Sequence, residues 1–318
     1  MSAPDTLETV TRVVDAPDEP REVPETEKPL ESPQGEVLDD PEKRREASAD
    51  LRQQVEGNWK PREFEPDRAE LARFDLKRAG LPDMTIESAA KYIEEHRAAR
   101  PWLAMADRAC PEARRIIAAM DAAGGHAHIR HEGWVSEEAN RRRVAYQEDP
   151  AQLHPEKRSL GIDGLRPGDS PHRCRTTATR ITDPDAFATA FVRAVEHPKV
   201  REALNMPFNP ADRPDQVAIP IAELLGSNGH RDCTGWRLEP GDGSMKAAVG
   251  NRDAWVAAKS EGRTSDVPEP RSAPVPTFKD GDIVFDFMRN NDGQRYEVVT
   301  MFARPAQPKP TGNPSGLG

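Results

Sequence analysis

Histidines are concentrated in one short stretch of the sequence. The segment GGHAHIRHEGW, residues 124–134, holds His126, His128 and His131, three of the eight histidines in the chain. Imidazole titrates near neutral pH, so it can transfer protons, and it also ligates metals. A histidine can equally be a structural residue held by hydrogen bonds. The stretch by itself leaves a metal site, an acid–base site and a structural role open.

A metal site would need more ligands than this stretch offers. Zinc takes three or four ligands from histidine, cysteine or carboxylate groups. The three histidines would supply three, but no further ligand stands near them at a typical spacing. Cys110, Cys174 and Cys233 are far apart and indicate neither a zinc motif nor a disulfide framework. We therefore expect no metal and no cofactor.

Acid–base chemistry needs a group that stabilises the charge formed during the reaction. An arginine run at 141–143 follows His131 within a predicted helix. Arg142 or Arg143 would present a guanidinium to a phosphate. Such a run is also typical of a solvent-exposed helix face, so a purely structural role stays open for each of the three arginines.

Charge is distributed unevenly along the 318 residues, whose formal net charge is −10. Residues 1–40 hold twelve acidic and three basic side chains, a net charge of −9. Residues 121–318 hold 28 acidic and 26 basic side chains and are nearly neutral. The low isoelectric point therefore does not exclude an anionic substrate for the later part.

The two ends of the sequence are typical of disordered segments. Residues 1–58 are rich in Pro, Glu and Asp and bury too little apolar surface to order themselves, which predicts a disordered acidic leader. Residues 306–318 are predicted to be a disordered tail. No apolar run reaches the ~18 residues of a membrane helix, and the start is not that of a signal peptide. We expect a protein without a membrane partner, either cytoplasmic or exported by a non-classical injection route.

The middle of the sequence predicts an α+β fold. Residues 59–123 show helical periodicity and are expected to form a short helical segment. Residues 124–305 mix helices and strands, with Ser136 as a helix N-cap. Alternating apolar residues on either side of NNDG predict an antiparallel hairpin at the C-terminal end. The Gly-, Ser- and Pro-rich stretch 238–279 is expected to be a surface insertion.

The order of four sparse motifs carries a family resemblance. GGHAHIRHEG is followed by a helix ending RRRVAYQEDP, then by TRITDPDAFATAFVRAV, then by YEVVTMFARP. This order resembles the ribonuclease-A-like toxin domain of contact-dependent inhibition and other bacterial polymorphic toxins, over about residues 124–305. The matched positions are Gly124, Gly125, His126, His131, Gly133, Tyr296, Val298, Thr300, Phe302 and Pro305.

The resemblance implies RNA cleavage without a metal. The 2′-hydroxyl would attack the adjacent phosphorus and leave a 2′,3′-cyclic phosphate on RNA, with tRNA as one candidate substrate. His131 would be the acid/base, with His126 beside it, and Arg142 would hold the phosphate. Arg143 would replace Arg142 if the helix were shifted by one residue, and Thr300 would donate to a phosphate oxygen.

Two positions depart from the family pattern. Phe302 stands where the family has a tyrosine, which removes a hydroxyl; Tyr296, His128 or His126 would have to replace it. Glu132 follows His131 where the family has valine, and its charge would repel phosphate. His172, Arg173 and Arg175 lie in an inserted loop and would form a basic rim for the RNA backbone.

The resemblance also implies a biological setting. Domains of this type act as toxins or effectors, are paired with an immunity protein, and reach their target through delivery machinery, here through the leader. Two other functions stay open: a catalytically inactive ribonuclease-A-like binding module, and an unrelated soluble interaction protein that docks through residues 1–58.

Overall fold

The protein has an α+β fold with two small antiparallel sheets. The structure is a computed structural model and describes residues 65–166, 168–209, 214–241, 243–289 and 295–306. The expected leader at 1–58 and all but the first residue of the expected tail lie outside these ranges. Whether the arrangement is of the ribonuclease-A type stays a prediction.

The helical segment precedes the histidine stretch, as the sequence predicts. It contains α1 (Arg68–Arg73), α2 (Ile86–His96) and α3 (Pro111–Ala122), with 3-10 turns at Leu76–Ala79 and Pro101–Arg108. Local signals explain the ends of these helices. Thr85 and Ser88 form a capping box at the start of α2, and Pro111 occupies the first turn of α3.

The remaining helices surround the two sheets. Their bounds are α4 (Ala127–His131), α5 (Glu137–Tyr146), α6 (Pro155–Ser159), α7 (Pro184–Glu196), α8 (Pro198–Asn205), α9 (Ile221–Leu225) and α10 (Met245–Ser260). Two further 3-10 turns lie at Gly229–Asp232 and Thr264–Asp266. The predicted cap of α5 is present, because the Ser136 side chain accepts a hydrogen bond from the Ala139 N–H.

Six strands form two three-stranded sheets among the described residues. The first has the order β1 (Thr177–Ile181), β3 (Cys233–Leu238), β4 (Ser272–Pro274). The second has the order β2 (Val217–Pro220), β5 (Asp282–Arg289), β6 (Tyr296–Arg304). The predicted hairpin is β5 and β6, and a bulge shifts their register between Asp286 and Phe287. The expected insertion at 238–279 contains α10 and β4, so part of it extends the first sheet.

One apolar core joins the helical segment to the later part of the chain. A single cluster of buried side chains runs in sequence from Leu71 to Ala303. Helix α7 lies inside it, with Phe187 and Phe191 almost fully buried. Burial of such side chains contributes about 1.5–3 kcal/mol each, so α1 to α3 belong to the packing that positions α4. No helix in the described ranges is long and apolar enough to cross a membrane.

Candidate active site

Two glycines fix where the histidine helix α4 begins and how the chain leaves it. Gly124 has φ +80°, a left-handed conformation that lets the chain turn between α3 and α4. The His126 N–H then donates to the Val299 carbonyl at 3.2 Å, which ties the start of α4 to β6. At Gly133 a Cβ would lie 2.3 Å from the Thr182 carbonyl oxygen, so no larger residue fits there.

His131 is a buried imidazole held in one orientation. Its Nδ1 donates to the Thr179 carbonyl of β1 at 2.9 Å, because a carbonyl can only accept. In the neutral ring the proton is therefore on Nδ1, and Nε2 carries the lone pair of a general base. Burial lowers the pKa of His131 well below its usual range, and Arg143 and His126 lower it further.

His126 has the same electrostatic surroundings as His131. Burial lowers the pKa of His126 to about 4, and Arg130 and Arg143 add to the effect. Both imidazoles are therefore neutral at pH 7. Desolvation is the larger cause in both imidazoles and the guanidinium groups add to it, so a bound anion would oppose the part that the guanidinium groups contribute.

Arg142 and Arg143 lie in different environments although they are neighbours in α5. Arg142 is partly exposed and makes two 2.7 Å hydrogen bonds to Glu148. Arg143 is buried, and burial lowers its pKa. It donates to His172 Nε2 at 3.2 Å and to the Arg130 carbonyl at 3.1 Å, and it makes no ion pair with a described carboxylate. The arginine beside His131 is thus Arg143, the alternative register.

The last strand brings a hydroxyl and an aromatic ring to the same site. Thr300 Oγ1 is buried and bonds to none of the described residues. Phe302, two residues on and on the same face of β6, has its ring centre 5.5 Å from that of His131. Asp286 is the register partner of Thr300, so a carboxylate also borders this face. We call His126, His131, Arg143 and Thr300 the histidine–arginine cluster.

A buried network of ion pairs and hydrogen bonds lies next to Arg143. Arg130 binds Asp149 at 3.0 and 2.6 Å and Asp163 at 2.8 Å. His172 Nε2 accepts from Arg143, so its Nδ1 carries the proton and faces Asp163 at 3.4 Å. Ligand atoms of Asp149, Asp163 and His172 lie within 4.8 Å of one another, as in a metal site. Arg130 already bonds both carboxylates there, and His172 Nε2 is engaged by Arg143.

His128 belongs to a second hydrogen-bonded cluster, which is centred on Asp121. Its Nε2 lies 2.9 Å from Asp121, which also accepts from Tyr92, Arg100 and Trp102. Burial would raise the pKa of Asp121, but the hydrogen bonds from these partners outweigh it and hold the pKa well below its usual range. We call Asp121 and its four partners the Asp121 network.

The environment of Glu132 works against the expected repulsion of phosphate, because it favours the uncharged carboxyl. Glu132 is fully buried, and burial, with Asp183 nearby, raises its pKa well above the usual range. A protonated carboxyl beside His131 adds no negative charge to the site. The buried Arg180 holds the loop that follows, donating to the carbonyls of Gly133 and Val135 and to Glu137.

The remaining predicted site residues lie apart from the histidine–arginine cluster. Tyr296 is buried at the start of β6, and its hydroxyl donates to the Asn209 carbonyl at 2.7 Å. Arg173 and Arg175 are exposed, as a basic rim requires, whereas His172 between Pro171 and Arg173 is buried. Of the three residues predicted for a basic rim, Arg173 and Arg175 are thus exposed and His172 is not.

Sequence reasoning missed Arg130, Asp149, Asp163 and Asp286. These residues are far apart in the chain and meet only in the fold, so no local spacing marks them. Comparison with protein-family models, with curated proteins and with solved structures found no significant match. The function is therefore argued from the cluster itself and from the motif order.

Proposed function

We propose that the protein is a metal-independent endoribonuclease whose active site is the histidine–arginine cluster. The observation that carries the proposal is Arg143, a buried cation that bonds a neutral imidazole and a carbonyl in place of a carboxylate. Asp149 and Asp163 act on Arg143 from a distance but are not bonded to it, and a phosphate would provide a direct ion pair. Two neutral imidazoles and an unbonded hydroxyl border the same position, which is the set that phosphodiester cleavage needs.

The residues of the cluster supply a general base, a general acid and donors that stabilise the negative charge developing on the phosphate. Nε2 of His131 takes the proton of the ribose 2′-hydroxyl as that oxygen attacks phosphorus. Arg143 and the Thr300 hydroxyl donate to the non-bridging oxygens, where charge develops. His126 gives a proton to the departing 5′-oxygen, after the bound phosphate has raised its pKa. The products are a 2′,3′-cyclic phosphate and a 5′-hydroxyl.

A second candidate function is an RNA-binding module that does not cleave. Phe302 favours it, because the hydroxyl that the related toxin domains place there is missing. The cluster would then hold a phosphate without a complete set of proton carriers. The third alternative, an interaction protein that docks through residues 1–58, would leave the buried charge of Arg143 without a role.

The family resemblance supplies the proposed biological role. The nuclease would be a toxin or effector, neutralised by an immunity protein and delivered by machinery that engages the leader. Induced expression of the full chain in bacteria should then stop growth and degrade RNA. The His131→Ala chain, at equal expression, should permit growth.

The direct test is cleavage of total tRNA and of a short RNA by the full-length chain in EDTA. We expect products with 2′,3′-cyclic phosphate ends. His131→Ala should lower the rate by roughly 10²–10⁴-fold, the usual contribution of a general acid or base. Thr300→Val, which removes only the unbonded hydroxyl, should lower it by less.

The matched control is His154→Ala, which removes an exposed histidine outside the cluster. It should cleave like the unmodified chain. Cleavage that requires a divalent ion would contradict the proposed mechanism. Tight RNA binding without cleavage would favour the binding module, and loss of RNA binding only after deletion of residues 1–58 would favour the interaction protein.

A further inference from the structure

A cavity of about 620 Å³ is lined by β3 and by the segment 274–278, which leads from β4 toward β5. Aromatic-lined grooves bind proline-rich segments, because the backbone of such a segment is largely preset before it binds. The lining of this cavity combines an aromatic ring with proline, other apolar and polar side chains, among them Trp236, Pro274, Pro276, Phe278, Glu137 and Arg231.

Trp236 is held in a fixed position at the cavity. Its backbone is paired with Ala178 of β1 on one side and with Pro274 of β4 on the other. Its indole Nε1 donates to Glu137 at 3.1 Å, and the side chain packs on a small buried cluster that includes Val144. The residue is only partly buried, so it offers an oriented aromatic surface.

The last described residues lie beside this cavity. Phe278 lines the cavity, and its carbonyl accepts from the Gly281 N–H at 2.9 Å. A Cβ built on Gly281 would lie 2.9 Å from that carbonyl oxygen and 3.3 Å from the Cα of Pro305. Pro305 follows the last residue of β6, so the chain passes Phe278 as it leaves the sheet. The segment that follows Ala306 therefore starts next to the cavity.

This segment has the composition that an aromatic-lined groove binds. Residues 307–318 are QPKPTGNPSGLG, with three prolines and Lys309 as the single charged side chain. An extended chain covers about 3.3 Å per residue, so Pro308 and Pro310 can reach about 10 and 17 Å from Pro305. Segment and cavity belong to one chain, so the effective concentration is in the millimolar range and a weak contact is enough.

The leader is a second proline-rich segment, but its attachment is less favourable. Its last proline up to residue 58 is Pro41, which precedes the first described residue, Glu65, by 24 positions. No described residue before Glu137 lines the cavity. Proximity therefore favours the segment after Ala306 as the occupant.

We propose that the Trp236 cavity holds residues 307–314 of the same chain, with Pro308 and Pro310 against the Trp236 ring. A segment that is disordered by itself can order on the surface that binds it. Because β6 belongs to the second sheet and Trp236 to the first, the bound segment would connect the two sheets. The inference concerns a different surface from the histidine–arginine cluster and does not depend on RNA cleavage.

Backbone mobility of the segment in the full-length chain tests the proposal. NMR relaxation should give Lys309 and Thr311 order parameters above about 0.6, the value below which a backbone counts as flexible. Trp236→Leu should lower both order parameters below that value. Trp255→Leu is the matched control and should leave them unchanged, because Trp255 lies on α10 against Tyr146, outside the cavity.

The reciprocal test follows the tryptophan ring. Fluorine NMR of the fluorotryptophan-labelled chain, with Trp236 assigned through Trp236→Leu, should show a shifted Trp236 signal when Pro308→Ala and Pro310→Ala are combined. The chain with Pro17→Ala and Pro20→Ala in the leader should keep the native signal. Order parameters below about 0.6 in the native chain, or a shift only in the leader variant, would overturn the proposal. A Trp236 signal that depends on protein concentration would also overturn it, since the occupant would then come from a second copy.

Discussion

His128 and His131 are separated by three positions, yet they belong to opposite kinds of site. His128 faces Asp121, a carboxylate that also accepts hydrogen bonds from a phenol, a guanidinium and an indole. His131 faces Arg143 and His126, and its pKa is lowered as a result. The Asp121 network pairs its buried carboxylate with its own cation, Arg100. In the histidine–arginine cluster Arg143 bonds to an imidazole and a carbonyl, and no described carboxylate is bonded to it directly.

The difference shows how a structural histidine can be told from a reactive one. Around Asp121 the protein supplies four donors to one carboxylate, so a ligand would have to displace bonds already made. Around Arg143 the described residues provide no direct ion pair for the guanidinium and no hydrogen bond for the Thr300 hydroxyl; in the Asp121 network the one such atom is His128 Nδ1. A buried polar group without a partner is costly to stability, and such groups are concentrated at functional sites.

The largest expected effect is on stability, in the Asp121 network. Asp121→Asn should lower the free energy of unfolding by about 3–5 kcal/mol, because it leaves buried donors and a cation without their acceptor. Thermal or urea unfolding measures this loss. Asp107→Asn, which breaks an exposed pair with Arg97, should lower stability by under about 1 kcal/mol.

The effect of Asp121→Asn on the free energy of unfolding should depend on pH. The pKa of Asp121 is lower in the folded than in the unfolded chain, so its contribution is present above the ordinary aspartate pKa of about 3.9. It is lost as the pH falls below that value. The stability difference between the native chain and Asp121→Asn should therefore shrink on acidification. An equal difference at pH 7 and pH 3 would contradict the assignment.

The next largest effect separates Arg143 from Arg142. Arg143→Gln should lower kcat for RNA cleavage by roughly 10²–10³-fold, as removal of one charge-stabilising donor does. Stability should fall by about 1–3 kcal/mol, because the buried His172 Nε2 and the Arg130 carbonyl lose their donor, so kcat is compared under conditions where both variants are folded. Arg142→Gln should leave kcat unchanged. Equal losses in the two variants would contradict the difference between the two environments.

These two arginines also show the limit of what could be predicted from the sequence alone. Ser136 and Pro111 are local signals, so the helices they begin were predictable, and the alternating apolar residues predicted the two hairpin strands; the predicted NNDG turn lies outside the described residues. The choice between Arg142 and Arg143 depends on helix phase, because each residue turns the side chain by about 100°. Only the packing of α5 against the first sheet decides that phase. His172 was predicted at the rim for the same reason: burial of a histidine cannot be seen from its neighbours.

A smaller effect concerns Glu132, predicted from the sequence to repel phosphate. The pKa of Glu132 is higher in the folded than in the unfolded chain. Its contribution to the free energy of unfolding is therefore fully present below the ordinary glutamate pKa of about 4.3, and it is lost as the pH rises through the pKa of the folded chain. Glu132→Gln should abolish that loss and stabilise the protein at pH 8 by about 1 kcal/mol or more. RNA cleavage should persist.

Thermal unfolding at pH 5 and pH 8 measures this effect. Glu138→Gln is the control, because Glu138 is exposed and paired with Arg141. A Glu132→Gln chain that is less stable than the native chain at pH 8 would show that Glu132 is charged after all.

The smallest expected effect concerns Phe302, whose ring packs against His131. Phe302→Tyr restores the hydroxyl of the related toxin domains at a partly exposed position. One added hydrogen bond of about 1 kcal/mol corresponds to roughly a fivefold higher kcat. Rates with saturating RNA measure it. A tenfold fall in kcat would show that the hydroxyl does not fit, and that this site works by a different arrangement of donors.

The central claim is that Arg143 has no direct ion pair with a described carboxylate and that the substrate phosphate provides one. NMR titration of the His131 imidazole, with and without inorganic phosphate, tests it most directly. Phosphate between Arg143 and His131 should raise the pKa of His131 by about one unit or more, as a nearby opposite charge does. Arg143→Gln should reduce that shift. An unchanged pKa at saturating phosphate would contradict the account.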